Sequence, residues 1–386
     1  MPTRRQFIRI IGIGGAVTAL AAGGTTWALN RGAMPESAIA PWNGPEDTVR
    51  DPRLRAAAHA LLAPNSHNMQ PWLVRLQGDT GLTLHVDLER LLPETDPPGR
   101  QILISQGTFL ELFRQAAEAE GHAVAIDLLP DGPFPPDRLD DRAVARLTLT
   151  PAAPKPDPLF AQLRRRRSTK TPFDTGRELD PSALARLGSV IPDDMHFGTL
   201  VAAAPRQAMR DLVEAAFRRE IETPHTLQES IDRMRIGPAE VATNPDGISL
   251  LGPMVWWGSQ LGMVNRAEMA VPGSAGFQAS LDMGRDQSQT AMGFGWLVTP
   301  DNSRLSQLRA GMAYMRLNLK ATAEGIAWHP MSQAMQEYPE MDTYRAALWD
   351  QAGVAAPAHI QMLVRLGYAK DPGPAPRRAV DAIVTG

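Results

Sequence analysis

Two polar segments of this sequence carry residue types and spacings that could do chemistry. The first is Arg164-Arg165-Arg166-Arg167-Ser168-Thr169-Lys170-Thr171-Pro172-Phe173. A guanidinium is a planar fork that donates two bonds to one phosphate, and the hydroxyls and ammonium just beyond it add further donors. A bare arginine run reads equally well as a solvated basic patch. Ser168, Thr169, Lys170 and Phe173 make the segment more specific than a run alone. The second is Pro64-Asn65-Ser66-His67-Asn68-Met69-Gln70-Pro71-Trp72, in which Asn65, Ser66, His67, Asn68 and Gln70 are positioned donors and acceptors between a helix and a strand. It also reads as an ordinary helix-terminating turn with Pro-Trp as a packing corner. Both readings of each segment stay open on residue types alone.

The rest of the inventory is informative by omission. There is no cysteine, which removes disulfides, thiolate metal sites and a cysteine nucleophile together. The eight histidines show no pair at helical ligand spacing, so no metal site is expected. No side chain stands out as an acid, base or nucleophile: Gly-x-Ser-x-Gly is absent and no motif carries a carboxylate pair. His67 could protonate a substrate or simply bond to nearby backbone.

The elements that must hold these segments belong to an ordinary globular chain of 386 residues, 43% hydrophobic and 21% charged. A net charge of -3 gives no basic field, which argues against nucleic acid as a partner. Apolar spacing predicts a helix from Asp51 to Ala63, with strands at Leu73–Leu76 and Leu82–Leu88. An amphipathic helix follows from Gln106 to Glu120, closed by Gly121, and then strands at Val124–Leu129 and Val144–Leu149. Pro151–Pro158 is a stiff proline-rich connector. Beyond it come a helix over Arg206–Glu222 and a stretch of broken periodicity, Thr223–Gln289. A long helix follows on Leu305, Leu308, Met312, Met315 and Leu319, ending at Gly325, and Ile360–Leu366 is a closing strand. Gly107, Ala117, Ala119, Glu120 and Gly121 match Gly311, Ala321, Ala323, Glu324 and Gly325 at one constant spacing. That is a weak sign of duplication.

The N-terminus reads as an address. Arg4-Arg5-Gln6-Phe7 precedes an apolar stretch from Ile10 to about Gly24, the order of a twin-arginine export signal. The stretch is short for a membrane span, which needs about 20 apolar residues. Ala38-Ile39-Ala40 has the form of a cleavage site but lies far beyond it, so an uncleaved anchor is the alternative. The expected location is periplasmic, or anchored on the outer side of the inner membrane. Export by this route moves folded proteins, often with a cofactor seated.

Ala63-Pro-Asn-Ser-His-Asn-Met-Gln-Pro-Trp72 resembles the A-P-S-x-H-N-x-Q-P-W segment of flavin nitroreductases, and Arg166–Phe173 resembles their R-R-[ST]-x-R-x-x-F segment. Their reversed order, the proline connector and the leader resemble the fused, double-length Acg-type branch, from about Asp51 to the C-terminus. The resemblance implies an α+β nitroreductase-like fold, with two pseudo-symmetric halves in one chain mimicking the family dimer. The implied parts are a signal or anchor (1–40), a first half (41–150), the connector (151–158) and a second half (159–386) with a lid-like insertion at about 223–289. It implies FMN as cofactor, with Arg166, Arg167, Ser168, Lys170 and Arg378 toward the ribityl-phosphate and Asn65, Ser66, His67, Asn68 and Gln70 toward the ring. Arginine is more usual at Lys170, and serine at Asn65.

The implied activity is electron transfer through FMN from a small-molecule donor to a nitroaromatic, quinone or similar acceptor. Protein groups then supply position and electrostatics, which suits the missing acid and base. The competing reading is a flavin store with little turnover, favoured by scarce NAD(P)H outside the cytoplasm. A cofactor-free scaffold ranks last. Expected partners are the donor and acceptor and, during export, the twin-arginine translocase. A monomer that completes its own site is expected.

Overall fold

The computed structural model describes residues 31–385; the arginine pair and the apolar stretch of the leader lie outside the described residues. A short helix α1 (Glu36–Ile39) opens the described chain, followed by α2 (Pro52–Ala60), which Asp51 caps by accepting from the Arg53 N–H. Strands β1 (Trp72–Gln77) and β2 (Gly81–Val86) pair as a hairpin. Helix α3 (Arg100–Ala119) follows, then β3 (His122–Leu128) and β4 (Ala145–Pro151). These strands form an antiparallel sheet in the order β1-β2-β4-β3. Along β4 the buried positions Ala145, Leu147 and Leu149 alternate with exposed ones, the period-2 pattern of a half-buried strand.

The second half repeats the plan with different connections. After α4 (Pro181–Leu187) come β5 (His196–Leu200) and α5 (Ala203–Glu222). The stretch of broken periodicity folds as α6 (Pro224–Asp232), a small parallel pair β6 (Met234–Ile236) and β7 (Ile248–Leu250) with α7 (Gly237–Thr243) between them, α8 (Pro253–Gln260), α9 (Arg266–Met269) and α10 (Ala275–Gln289). Then β8 (Gly293–Thr299), α11 (Arg304–Ala323), β9 (Ala327–Pro330), α12 (Asp342–Ala352) and β10 (His359–Gly367) complete the body. The second sheet, β5-β8-β10-β9, is again antiparallel.

The halves share their centre. Leu308, Met315 and Leu319 of α11 belong to the core under the first sheet, and Ile104 of α3 belongs to the core of the second. Two details depart from the sequence reading. Helix α3 begins at Arg100, ahead of the expected Gln106, because the buried Asp96 carboxylate accepts the N–H groups of Gln101 and Ile102 from outside the helix. Leu305, counted with the inward stripe of α11, is 44% exposed because the packed side of that first turn is taken by Arg304, Ser306, Gln307 and Leu308, all buried.

Candidate functional site

The asparagine loop is strained and held rigid. His67, Asn68 and Gln70 all have left-handed backbone, with φ of 46°, 56° and 52°. Asparagine tolerates that region, whereas histidine and glutamine need a surrounding structure that over-determines it. Much of that structure is the start of α3. Ser105 Oγ accepts the Ser66 N–H, Ser105 O accepts from Trp72 Nε1, Gln106 Nε2 donates to Pro71 O, and Thr108 Oγ1 donates to Pro64 O. Within the loop Asn65 Oδ1 accepts the Gln70 N–H at 2.8 Å. From the other side Gly247 N–H donates to Asn68 O and Gln70 Nε2 donates to Pro245 O, so the α7–β7 connection lies against the loop.

The arginine segment comes to the same place. Arg166 is buried; Nη2 donates to Leu62 O at 2.9 Å and Nη1 to Asn318 Oδ1 at 3.1 Å, while Nε is enclosed without a partner. The C-terminal Arg377 meets it there, with Nη2 donating to Leu62 O and Ala63 O, Nη1 to Asn68 Oδ1 at 2.6 Å, and Nε again enclosed and unbonded. Burial lowers Arg166 to about 10 and Arg377 to about 9, each also repelled by a neighbouring guanidinium. No carboxylate pairs with either among the described residues. Trp42, in the turn after α1, faces the guanidiniums of Arg166, Arg167 and Arg377 at 5.8, 5.0 and 5.6 Å from its ring.

Lys170 has an exposed surface, yet surrounding protein desolvates its ammonium enough to lower its pKa. Burial, then Lys170, then Arg233, lower His67 to about 4, so that imidazole is neutral at pH 7, and its Nδ1 is enclosed without a partner. Ser168 and Ser66 are half-buried beside these groups in sequence. What assembles is a group of cations without carboxylate partners among the described residues, beside the asparagine loop, a setting for an anionic ligand.

Other expected contacts are committed to protein. Asn68 Nδ2 donates to Pro376 O, and Gln70 Oε1 accepts the Arg378 N–H. Arg378 itself donates to Gln70 O and Ala382 O and lies 3.7 Å from Asp87. Arg167 pairs outward with Asp371 at 2.9 Å. The sequence reading missed Trp42, Arg377, Asn318 and Arg233. For Arg377 the signal is the run Pro376-Arg377-Arg378, two adjacent arginines of which nothing local says which turns inward.

No family model matches the chain. The chain is 27% identical over 344 residues to a Mycobacterium tuberculosis (strain ATCC 25618 / H37Rv) protein provisionally named as an NAD(P)H nitroreductase, covering 84% of this chain and 88% of that one. It is 26% identical over 357 residues to the protein provisionally named NAD(P)H nitroreductase acg of the same organism, covering 88% and 97%. Among solved structures, the FMN- and NADPH-dependent nitroreductase NfnB of sphigopyxis sp. strain HMH is similar to 59% of this chain and 98% of its own, with TM-score 0.37 and 19% identity. The NfnB of Mycobacterium smegmatis, solved with NADPH, covers 57% and 94% with TM-score 0.35 and 17% identity. Over most of its length the chain is similar to proteins named as NAD(P)H nitroreductases. The described residues hold two four-stranded antiparallel sheets around shared central helices.

Proposed function

We propose that this chain is an FMN-dependent oxidoreductase of the nitroreductase type that works outside the cytoplasm after twin-arginine export. The carrying observation is the convergence of Arg166, Arg377 and Lys170, desolvated and without a carboxylate partner among the described residues, beside the strained asparagine loop. FMN fits this chemistry: its phosphate is a dianion, and Arg166, Arg377 and Lys170 bring positive charge with no carboxylate partner among the described residues. Arg166, Lys170, Arg377 and Ser168 would hold the ribityl-phosphate, and the loop from Asn65 to Gln70 would border the ring. The relatives named as NAD(P)H nitroreductases support NAD(P)H as donor.

When bound, the flavin supplies a hydride-accepting and hydride-donating centre. The protein's part is electrostatic: Lys170 offers positive charge that surrounding protein desolvates, where it is worth more than in open water, and His67 stays neutral beside it. A second reading, flavin sequestration with little turnover, is favoured by the α7–β7 connection lying on the loop. The absorbance of purified protein, followed by anaerobic addition of NADH and NADPH, decides. A flavin band that bleaches supports the enzyme, a band that stays supports the store, and no band defeats both.

A further inference from the structure

Beside this site lies a buried guanidinium that the sequence did not single out. Arg365, in the middle of β10, is fully buried and has no carboxylate partner among the described residues. It packs over the Phe173 ring at 3.9 Å. Its Nη2 donates to Thr169 O at 3.0 Å and to Thr171 O at 2.9 Å, the two carbonyls that flank Lys170 in the chain. Its Nη1 donates to Gln287 O. Its Nε donates at 3.0 Å to Nδ1 of His329, its direct cross-strand neighbour on β9.

That last bond fixes a tautomer. Arg365 has protons to donate and no lone pair to accept with, so Nδ1 of His329 must be the acceptor and the imidazole proton must sit on Nε2. His329 is only 7% exposed, and Nε2 makes no hydrogen bond among the described residues. Nor is Nε2 among the atoms that protein encloses, so it keeps some accessible surface. Burial, then Arg365, then Lys170, hold His329 well below its ordinary value, and Lys170 is the group its imidazole shares with His67 as a repelling neighbour. The charged groups that act on His329 are thus Arg365 on β10 and Lys170 on the arginine segment, both cationic, while Arg365's own acceptors at the end of α10, Gln287 O and Thr290 Oγ1, are uncharged.

We propose that Arg365 is the positioning residue of the site, and that it presents His329 Nε2–H, as a neutral donor beside Lys170, to an anionic group of the bound flavin. One buried fork sets the backbone on both sides of Lys170 and the tautomer of His329. The site therefore receives one fixed charge and one donor that does not titrate near neutrality. The assignment rests on the FMN reading above; the tautomer is testable without it.

Nitrogen-15 NMR of the histidine rings, assigned with His329→Gln, reads the tautomer directly. In wild type the His329 ring is neutral with Nε2 protonated, and it does not titrate between pH 5 and 8. In Arg365→Gln it titrates within that range. FMN affinity is read from flavin fluorescence. His329→Ala weakens binding roughly tenfold, the scale of one hydrogen bond to a charged group. His329→Gln, which keeps an N–H donor, stays within about threefold of wild type. These two variants alter one side chain at the site and keep the test decisive if Arg365→Gln does not fold. Titration of wild-type His329 in that window overturns the positioning role. FMN binding by wild type with equal affinity in His329→Ala overturns the ligand contact alone, and no FMN binding by wild type overturns the FMN reading with it.

Discussion

Gly107 and Gly311 lie back to back where α3 crosses α11. A Cβ on Gly107 would come within 2.1 Å of Leu308 O, and one on Gly311 within 2.1 Å of Ile104 O. Ile104 stands to Leu308 at the same spacing as Gly107 to Gly311, so each helix makes on its partner the contact the partner makes on it. Isologous contacts of this kind define two-fold interfaces between identical subunits, and here one chain contains both sides. Gly107→Ala and Gly311→Ala should each destabilise by about 1–3 kcal/mol through forced separation of backbones. The double variant should cost less than the sum, since either methyl opens the crossing for the other. Urea midpoints at constant m-value check this, and wild-type midpoints in both single variants would remove the tight crossing.

Arg166→Ala, Lys170→Ala and Arg377→Ala should each weaken FMN binding by roughly tenfold or more, as lost charge-assisted bonds to phosphate contribute about 1.5–3 kcal/mol. Arg378→Ala should leave affinity closer to wild type and lower thermal stability, because its fork is spent on Gln70 O and Ala382 O beside Asp87. Fluorescence titration of the four variants separates the two tail arginines. Equal losses at 377 and 378 would return Arg378 to the phosphate.

What was legible in the sequence follows from where the information is local. The strands on Trp72–Gln77 and Ala145–Pro151, and the helix closing at Gly121, are set by alternation and end signals within a few residues. The asparagine loop and the arginine segment were legible because each is contiguous. Trp42, Arg365, His329 and Arg377 were not. Each acts through a partner distant in sequence, such as Ala375 O for Trp42 Nε1 or Thr169 O for Arg365, and no periodicity encodes that pairing. The stretch after Thr223 hid its plan because its helices are short and broken by glycine and proline turns.

Glu220 makes stability fall as pH rises. It is buried, accepts from Gln336 Nε2 at 3.0 Å, and is raised by burial, with Glu229 adding repulsion, to about 7 from an ordinary 4.5. The folded state therefore holds a proton that the unfolded chain has released between those values. The stabilisation is complete below about pH 4.5 and is lost through pH 7. Glu220→Gln should flatten that part of the profile and add about 1–3 kcal/mol near pH 8. Melting temperatures of both proteins from pH 4.5 to 8 test it, and parallel profiles would assign the slope to other groups.

The segment from Glu36 to Trp42 is part of the fold. Ala38 is buried and its carbonyl accepts the Arg377 N–H at 2.8 Å, while Trp42 Nε1 donates to Ala375 O at 2.8 Å. Processing after Ala40 would detach the first of these anchors from the arginine it fixes. Mass spectrometry of protein recovered after export should therefore find Glu36–Ala40 retained. A chain beginning at Pro41 should melt a few degrees lower, on the scale of about 1 kcal/mol in a protein of this size, and should hold FMN less tightly. A mature N-terminus at Pro41 with unchanged melting would remove this segment from the site.

The last prediction is one FMN per chain, bound with an affinity that does not depend on protein concentration. Leu62 O accepts from Arg166 of the arginine segment and from Arg377 of the tail, and Asn68 of the loop accepts from Arg377 as well. The three segments of the site thus meet within one chain, with no second subunit needed to bring them together. The sequence carries one copy of the asparagine loop and one of the arginine segment, so the pseudo-symmetry of the central helices does not extend to a second site. Joining the halves through Pro151–Pro158 replaces a subunit association by an intramolecular one, whose effective concentration is fixed by the connector. Flavin content from absorbance should be one per chain, and FMN affinity should be unchanged over a hundredfold dilution of protein. Two flavins per chain, or flavin loss in step with dissociation of a dimer seen by analytical ultracentrifugation, would show that the site is built between chains.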